Sequence, residues 1–209
     1  MVQTEKLSFQ YGKGTKRFKF PDLHLKPQEN LLVLGKSGIG KTTFLHLLAG
    51  LLTPESGKVI IANKSLSNLK DRELDFFRGA HIGFVFQKKH AIPSLSVLEN
   101  LKARLFFSKC PIHLDEITEL LEQLNLKEAH YQTPKELSEG QLQRLSIALA
   151  VIHKPKLLLA DEPTASLDDE NCALVMNLLL QQATKTKANL IVITHDARVK
   201  PFFENAITL

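Results

Sequence analysis

A chain of 209 residues, 44% hydrophobic and 23% charged, has ordinary globular composition and suits one large domain or one domain with a small subdomain. Its net charge of +5 comes from scattered basic residues and decides nothing about partners alone. No stretch approaches the ~20 apolar residues needed to span a bilayer, and "MVQTEKLSFQ" has no apolar signal core, so a cytoplasmic protein that does not itself cross a membrane is expected.

The elements follow in chain order. "EKLSFQY" and "KRFKFPDLHL" alternate apolar and polar residues, as half-exposed antiparallel strands do. "YGKGT" supplies the turn between them, and the basic cluster Lys13 to Lys19 reads as the hairpin's solvated face. "NLLVLG" is a buried strand that runs into "GKSGIGKTT" and then a helix, "TFLHLLAGLL". "GKVIIA" is a strand, "KDRELDFFRG" a short charged helix with Gly79 near its end, and "HIGFVFQ" a strand. "LSVLENLKARLFF" opens on a capping box, Ser96 with Glu99. "HLDEITELLEQLNL" places Leu114, Ile117, Leu120, Leu121 and Leu124 on one face. These two helices define a helical subdomain over residues 88–136, with 1–87 and 137–209 forming the core and its antiparallel part. "SEGQLQRLSIALAVI" (helix), "KLLLAD" (strand), "DENCALVMNLLLQQA" (helix) and "NLIVIT" (strand) follow, and "DARVKPFF" and "NAITL" close the chain. Alternating buried strands and helices predict an α/β fold, a mostly parallel sheet with helices on both faces.

Cys110 and Cys172 are far apart and fit unpaired thiols in a reducing compartment. The eight histidines form no metal-type pair, so no structural zinc is expected.

Gly35 to Thr42 matches G-x-x-x-x-G-K-[ST], with a strand before it and a helix after it. Gly35, Gly38 and Gly40 allow a tight wrap whose backbone N–H groups point at phosphate oxygens, and the following helix adds its N-terminal dipole. In this loop Lys36, Ser37 and Ile39 fill the wrap, Lys41 would reach the β- and γ-phosphates, Thr42 would ligate Mg²⁺, and Thr43 follows at the helix start. "LLLADE" is an apolar strand ending in two carboxylates, on the edge where ligands of parallel sheets sit. Asp161 can hold Mg²⁺ there, and Glu162 can polarise a water for attack on the γ-phosphate.

"KELSEGQLQR" is a third polar signal. Ser138 and Gln141 form a capping box, yet Gly140 sits inside the first turn, where it weakens a helix. A helix N-terminus with free N–H groups can accept an anion, and a glycine lets the backbone approach it closely.

Together these stretches resemble the nucleotide-binding subunit of an ABC transporter over essentially the whole chain. Tyr11 resembles the aromatic residue that stacks on adenine, and Gly35 to Thr42 the phosphate loop. Gln87, after "IGFVF", resembles the Q-loop glutamine that touches Mg²⁺ and senses the membrane partner. Leu137 to Gln141 resembles the LSGGQ signature, with Glu139 in place of its first glycine. Asp161 and Glu162 resemble the Walker B aspartate and catalytic glutamate. Ser166-Leu167-Asp168 resembles the D-loop, and His195 the switch histidine at the γ-phosphate. "FFRGAHIGFVFQ" and "IPSLSVLENL" resemble the group that serves lipoprotein release, macrolide export and a cell-division complex.

The resemblance implies an ATPase that takes ATP and Mg²⁺. ATP would be sandwiched between Lys41, Thr42 and Asp161 of one copy and Ser138 and Gly140 of a second copy in a homodimer. The helical subdomain would meet a transmembrane permease, which places the chain peripherally on the cytoplasmic face of the membrane. Gln143-Arg144 is expected to pack or form a salt bridge along the signature helix, and Phe84, Phe86, Phe106 and Phe107 to be core or partner-facing. Two other readings stay open: an ABC-type ATPase that signals to a membrane partner without transport, and a soluble ABC ATPase of DNA repair. No coiled-coil run separates the phosphate loop from the signature, so no nucleic acid is expected.

Overall fold

The structure, a computed structural model, describes residues 1–12, 14, 16–88, 90–165 and 167–209. Lys13 and Thr15 of the first turn and basic cluster, and Ser166 of the D-loop-like triplet, lie outside the described residues.

The N-terminal half builds an antiparallel sheet. Strand β1 (Val2–Phe9) pairs with β2 (Phe18–Lys19), β3 (Leu23–Leu25) and, after β4 and the first helix, β5 (Ser56–Ile61), which carries β6 (Lys64–Ser65) on its edge. Interposed are β4 (Leu31–Leu34) and α1 (Lys41–Leu48). The chain then forms α2 (Asp71–His81), β7 (Ile82–Val85), α3 (Val97–Phe107), α4 (Leu114–Gln123), α5 (Glu139–Val151), β8 (Leu157–Asp161), α6 (Asp169–Thr186), β9 (Asn189–Thr194) and β10 (Ala206–Thr208). The second sheet runs β10-β4-β9-β8-β7, and every pairing in it is parallel.

Both faces of this parallel sheet are covered, so its strands read as unbroken apolar runs. Their alternate residues serve two cores. Leu158, Ala160, Leu190 and Val192 pack among α3, α4, α5 and α6. Leu157, Leu159, Ile191 and Ile193 pack with Phe44, Leu45 and Leu48 of α1 and with Val2, Leu7, Val59 and Ile61 of the antiparallel sheet. One strand set therefore joins the antiparallel layer to the helical layer. The carboxyl ends of β4, β7, β8 and β9 come out on one edge.

Helix α2 ends at His81, two residues past Gly79, as expected, and the Arg104 guanidinium donates to the Gly79 carbonyl at 3.3 Å. One detail differs from expectation. Ile117, Leu120, Leu121 and Leu124 are buried as one stripe, but Leu114 is exposed, since it opens α4 before the helix reaches its packing partners. No helix among the described residues is long and apolar enough to cross a membrane.

Candidate functional site

The loop between β4 and α1 wraps tightly for a backbone reason. Gly38 has φ +77° and Gly40 has φ +116°, values that L side chains rarely adopt. Gly40 also has no room for a side chain: a Cβ there would stand 2.7 Å from the Phe18 ring. Ile39 packs back on Gly35, and the Ile39 N–H reaches the Lys36 carbonyl at 3.4 Å. The loop borders a cavity of about 530 Å³, to which Lys36, Ser37, Gly38, Gly40, Lys41, Thr42 and Thr43 all contribute.

Lys41 is the first residue of α1, and its side chain is only 7% exposed. Its ammonium donates to the carbonyls of Gly35 (2.8 Å) and Lys36 (3.3 Å) and lies 3.4 Å from a Glu162 oxygen. Glu162 leaves β8 with φ +48°, a left-handed turn that aims its carboxylate back at the loop. That carboxylate accepts from Thr194 Oγ1 (2.7 Å) and the His195 N–H (3.2 Å), and it lies 3.0 Å from His195 Nδ1. Burial pushes the Glu162 carboxyl up. Hydrogen bonds from His195 and Thr194, with the charge of Lys41, outweigh burial and hold it below the usual carboxylate range. Glu162, Lys41 and His195 thus form one polar cluster at the cavity wall, and Gln87 lines the same cavity from just past the end of β7.

Asp161, the last residue of β8, is buried against Thr42, which donates to it. Burial pushes its carboxyl above the ordinary range, assisted by the neighbouring Glu162 charge. Its Oδ1 is buried with no hydrogen-bond partner among the described residues. A buried carboxylate oxygen without a donor beside a threonine hydroxyl fits a hard divalent cation with oxygen ligands.

The remaining expected residues lie elsewhere. Tyr11 is 61% exposed and does not line the cavity; its hydroxyl pairs with Thr43 Oγ1 at 2.9 Å, and its ring meets Phe9 and Phe18 edge-on. Phe18 is the aromatic side chain that lines the cavity, stacked on Phe20 and through it on Phe44. Sequence reasoning missed it. Its only signal was the alternation in "KRFKF", which marks a strand and not a ligand. Thr194, whose hydroxyl holds Glu162, likewise carries no sequence signal beyond its place at a strand end.

Ser138, Gly140 and Gln141 open α5 away from this cavity. The capping box is formed: Ser138 Oγ accepts from the Gln141 N–H (3.2 Å), and Gln141 Oε1 accepts from the Ser138 N–H (2.9 Å). Gln143 is buried and donates to the Pro163 carbonyl at 3.1 Å, joining this helix to the turn after Glu162 through a hydrogen bond. Asp168 caps α6 by accepting from the Asn171 N–H at 2.8 Å, also outside the cavity.

A second cleft, of about 280 Å³, lies between β7, α3 and α5 and is walled by Phe84, Phe86, Ile92, Phe107 and Leu149. Phe84 and Phe86 stack 4.0 Å apart there, while Phe106 and Phe107 are exposed.

Comparison with known proteins adds independent observations. The chain is 32% identical to a lipoprotein-releasing system ATP-binding protein LolD of Legionella pneumophila (strain Lens), covering 100% of this chain and 94% of the relative. It is 35% identical to LolD of Xanthomonas campestris pv. campestris (strain 8004), over 94% of this chain and 84% of the relative. Among solved structures, the dimeric structure of MJ0796, described as a bacterial ABC transporter cassette, superposes with a TM-score of 0.89 at 32% identity, covering 100% of this chain and 94% of that one. A post-hydrolysis dimer of MJ0796 bound to ADP and Pi gives a TM-score of 0.88 at 33% identity. Residues 18–165 match the family described as ABC transporter, and with relatives of this identity and coverage the chain belongs to that family.

Proposed function

We propose that the protein is the ATP-binding and ATP-hydrolysing subunit of an ABC transporter, dimerising around two ATP molecules and driving a transmembrane permease. The observation that carries this reading is the convergence of Lys41, Glu162 and His195 on the cavity bordered by the Gly35–Thr43 loop.

The loop N–H groups and the α1 N-terminus would receive the phosphates, with Lys41 turning from its carbonyl partners to the β- and γ-oxygens. Phe18 offers an apolar face beside the loop, and Tyr11 stands next to it for the base. Thr42, Asp161 and Gln87 are the residues that would hold Mg²⁺, which when bound neutralises charge developing on the phosphates. Glu162, kept ionised by its donors, would accept a proton from the attacking water. His195 Nδ1 lies 3.0 Å from Glu162, a contact that would hold the ring for a role at the γ-phosphate.

Ser138, Gly140 and Gln141 are exposed or half-exposed and do not line the cavity of their own chain, which supports a role on the ATP of a second copy. Asp168 would meet the same interface. Because closure then depends on the γ-phosphate, hydrolysis would release it. The apolar cleft at Phe84, Phe86 and Phe107 suits a short helix of the permease. The likeness to LolD favours lipoprotein release as the transport process served.

The test is purified Glu162→Gln protein. ATP-dependent dimers with hydrolysis reduced by roughly 100-fold or more are expected. Protein that stays monomeric and turns over ATP at the wild-type rate would overturn the reading.

A further inference from the structure

Arg198 lies in a 3₁₀ turn, Ala197–Phe202, three residues after His195, and its guanidinium reaches two separate parts of the chain. Within its own loop, Nε donates to both oxygens of Asp196 (2.9 and 3.1 Å), and a terminal nitrogen donates to Asp196 Oδ2 at 2.8 Å. Across to the segment after β8, one terminal nitrogen donates to Asp169 Oδ1 (2.6 Å) and the other to the Leu167 carbonyl (3.1 Å). Asp196 also accepts from Thr164 Oγ1 at 3.1 Å. The loop after β9 and the segment after β8 are therefore joined by the Thr164–Asp196 bond near β8 and, further along at 167–169, by the planar fork of Arg198.

The same network leads back to Glu162. The Asp196 N–H donates to Thr194 Oγ1 (3.0 Å), and Thr194 Oγ1 donates to Glu162 (2.7 Å). An unbroken hydrogen-bonded path thus runs from Glu162 through Thr194, Asp196 and Arg198 to Asp169. Asp169 is 91% exposed, and pairs this open to water contribute little to stability. The consequence of the contact is geometric: a guanidinium can hold a carboxylate, a second carboxylate and a carbonyl in fixed directions, which an ammonium cannot.

We propose that Arg198 is a positioning residue that ties segment 167–169 to the Glu162–His195 pair, so that a second copy pressing on that segment resets the catalytic carboxylate. The second copy enters from the dimer described under Proposed function, and the inference rests on that reading.

Hydrogen exchange of the protein without nucleotide reads the tie directly. Arg198→Ala is expected to speed exchange severalfold both in peptides covering 194–199 and in those covering 167–172. Acceleration confined to 194–199 would overturn the proposal. In steady-state ATP hydrolysis, Arg198→Ala and Asp169→Asn should each lower kcat by roughly three- to tenfold with KM within about twofold, since misplacement affects chemistry more than binding. Arg198→Lys should not restore kcat. The double variant should be no slower than Arg198→Ala alone, because both changes break one link. Unchanged kcat, or losses that multiply in the double variant, would overturn the proposal; Asp169→Asn, on an exposed side chain, keeps that arm open if Arg198→Ala fails to fold. Wild-type protein that neither dimerises nor hydrolyses ATP would instead sink the ATPase reading, leaving the exchange data to judge the tie.

Discussion

The Lys41 ammonium stands 3.4 Å from a Glu162 oxygen, with both side chains less than 10% exposed. One comes from the start of α1 and the other from the turn after β8, so the pair spans the edge where the two strands end. The cation expected to bind phosphate and the carboxylate expected to activate water share one charge balance. Lys41→Ala removes that balance and the phosphate contact together. It should weaken ATP binding by at least about tenfold, or about 1.4 kcal/mol. Titration with a fluorescent ATP analogue checks this, and unchanged affinity would contradict the assignment.

Asp161 offers a buried oxygen with no donor among the described residues, and Thr42 is hydrogen-bonded to the same carboxylate. Asp161→Asn should raise the Mg²⁺ concentration for half-maximal ATP hydrolysis by roughly 10- to 100-fold, as changes around metal sites do. Chelating Mg²⁺ from the wild type should abolish hydrolysis. An Mg²⁺ dependence equal in both proteins would remove Asp161 from the metal site.

Phe18 lines the cavity, and among the described residues Tyr11 connects to it through the Thr43 hydroxyl and the edge of Phe18. Phe18→Ala should weaken nucleotide binding about fivefold, the loss of ~1 kcal/mol of aromatic contact. Tyr11→Phe keeps the ring and loses one half-exposed hydrogen bond. It should change affinity by no more than about twofold, less than Phe18→Ala, and calorimetry on the two variants ranks them. Tighter dependence on the Tyr11 hydroxyl than on Phe18 would reverse the ordering.

Gly83 lies in β7, where a Cβ would stand 2.1 Å from the Ala150 carbonyl of α5. The clash is with backbone, so neither element can yield by rotating a side chain. Gly83→Ala should cost about 3 kcal/mol and lower Tm by roughly 6–12 °C. Calorimetric scans measure it. A shift under 2 °C would mean that α5 does not press on β7 this closely.

His153 is buried beneath α3, and burial with the nearby Arg104 charge holds its pKa down to about 3, against an ordinary 6.5; His81 at the end of α2 adds to this. Its Nε2 lies 2.9 Å from the Arg104 guanidinium and 3.1 Å from the Ile82 carbonyl. The folded protein therefore keeps the ring neutral while the unfolded chain protonates it. This stabilising contribution is complete above pH 6.5 and is lost as pH falls toward 3. Urea unfolding should show stability falling between pH 6.5 and 5 by up to about 1.4 kcal/mol per unit from this group. His153→Gln should flatten that stretch, and an unaltered slope would refute the role.

Much of the fold was legible because its signals are local. A fully buried parallel strand has no polar face, so "LLVL", "LLLAD" and "NLIVIT" declare themselves by composition, and capping at Ser96 and Ser138 involves side chains three residues apart. The phosphate loop and the Asp161-Glu162 strand end are contiguous patterns, and the parallel-sheet rule alone sets them on one edge. Other features depend on residues distant in sequence and meeting only in the folded chain. Phe18 reaches Gly40 because β2 lies against the loop, Thr194 grips Glu162 because β8 and β9 are neighbours, and Gln143 meets Pro163 because α5 packs beside that turn. Leu114 obeyed the helical period yet stayed in water, since periodicity names a face and only packing decides where the face begins to be covered. The sequence alone determined which chemical groups the protein carries and in what local geometry. Which of them share a charge, a cavity or a hydrogen bond was decided by strand order and helix packing, contacts between chain segments that no short pattern contains.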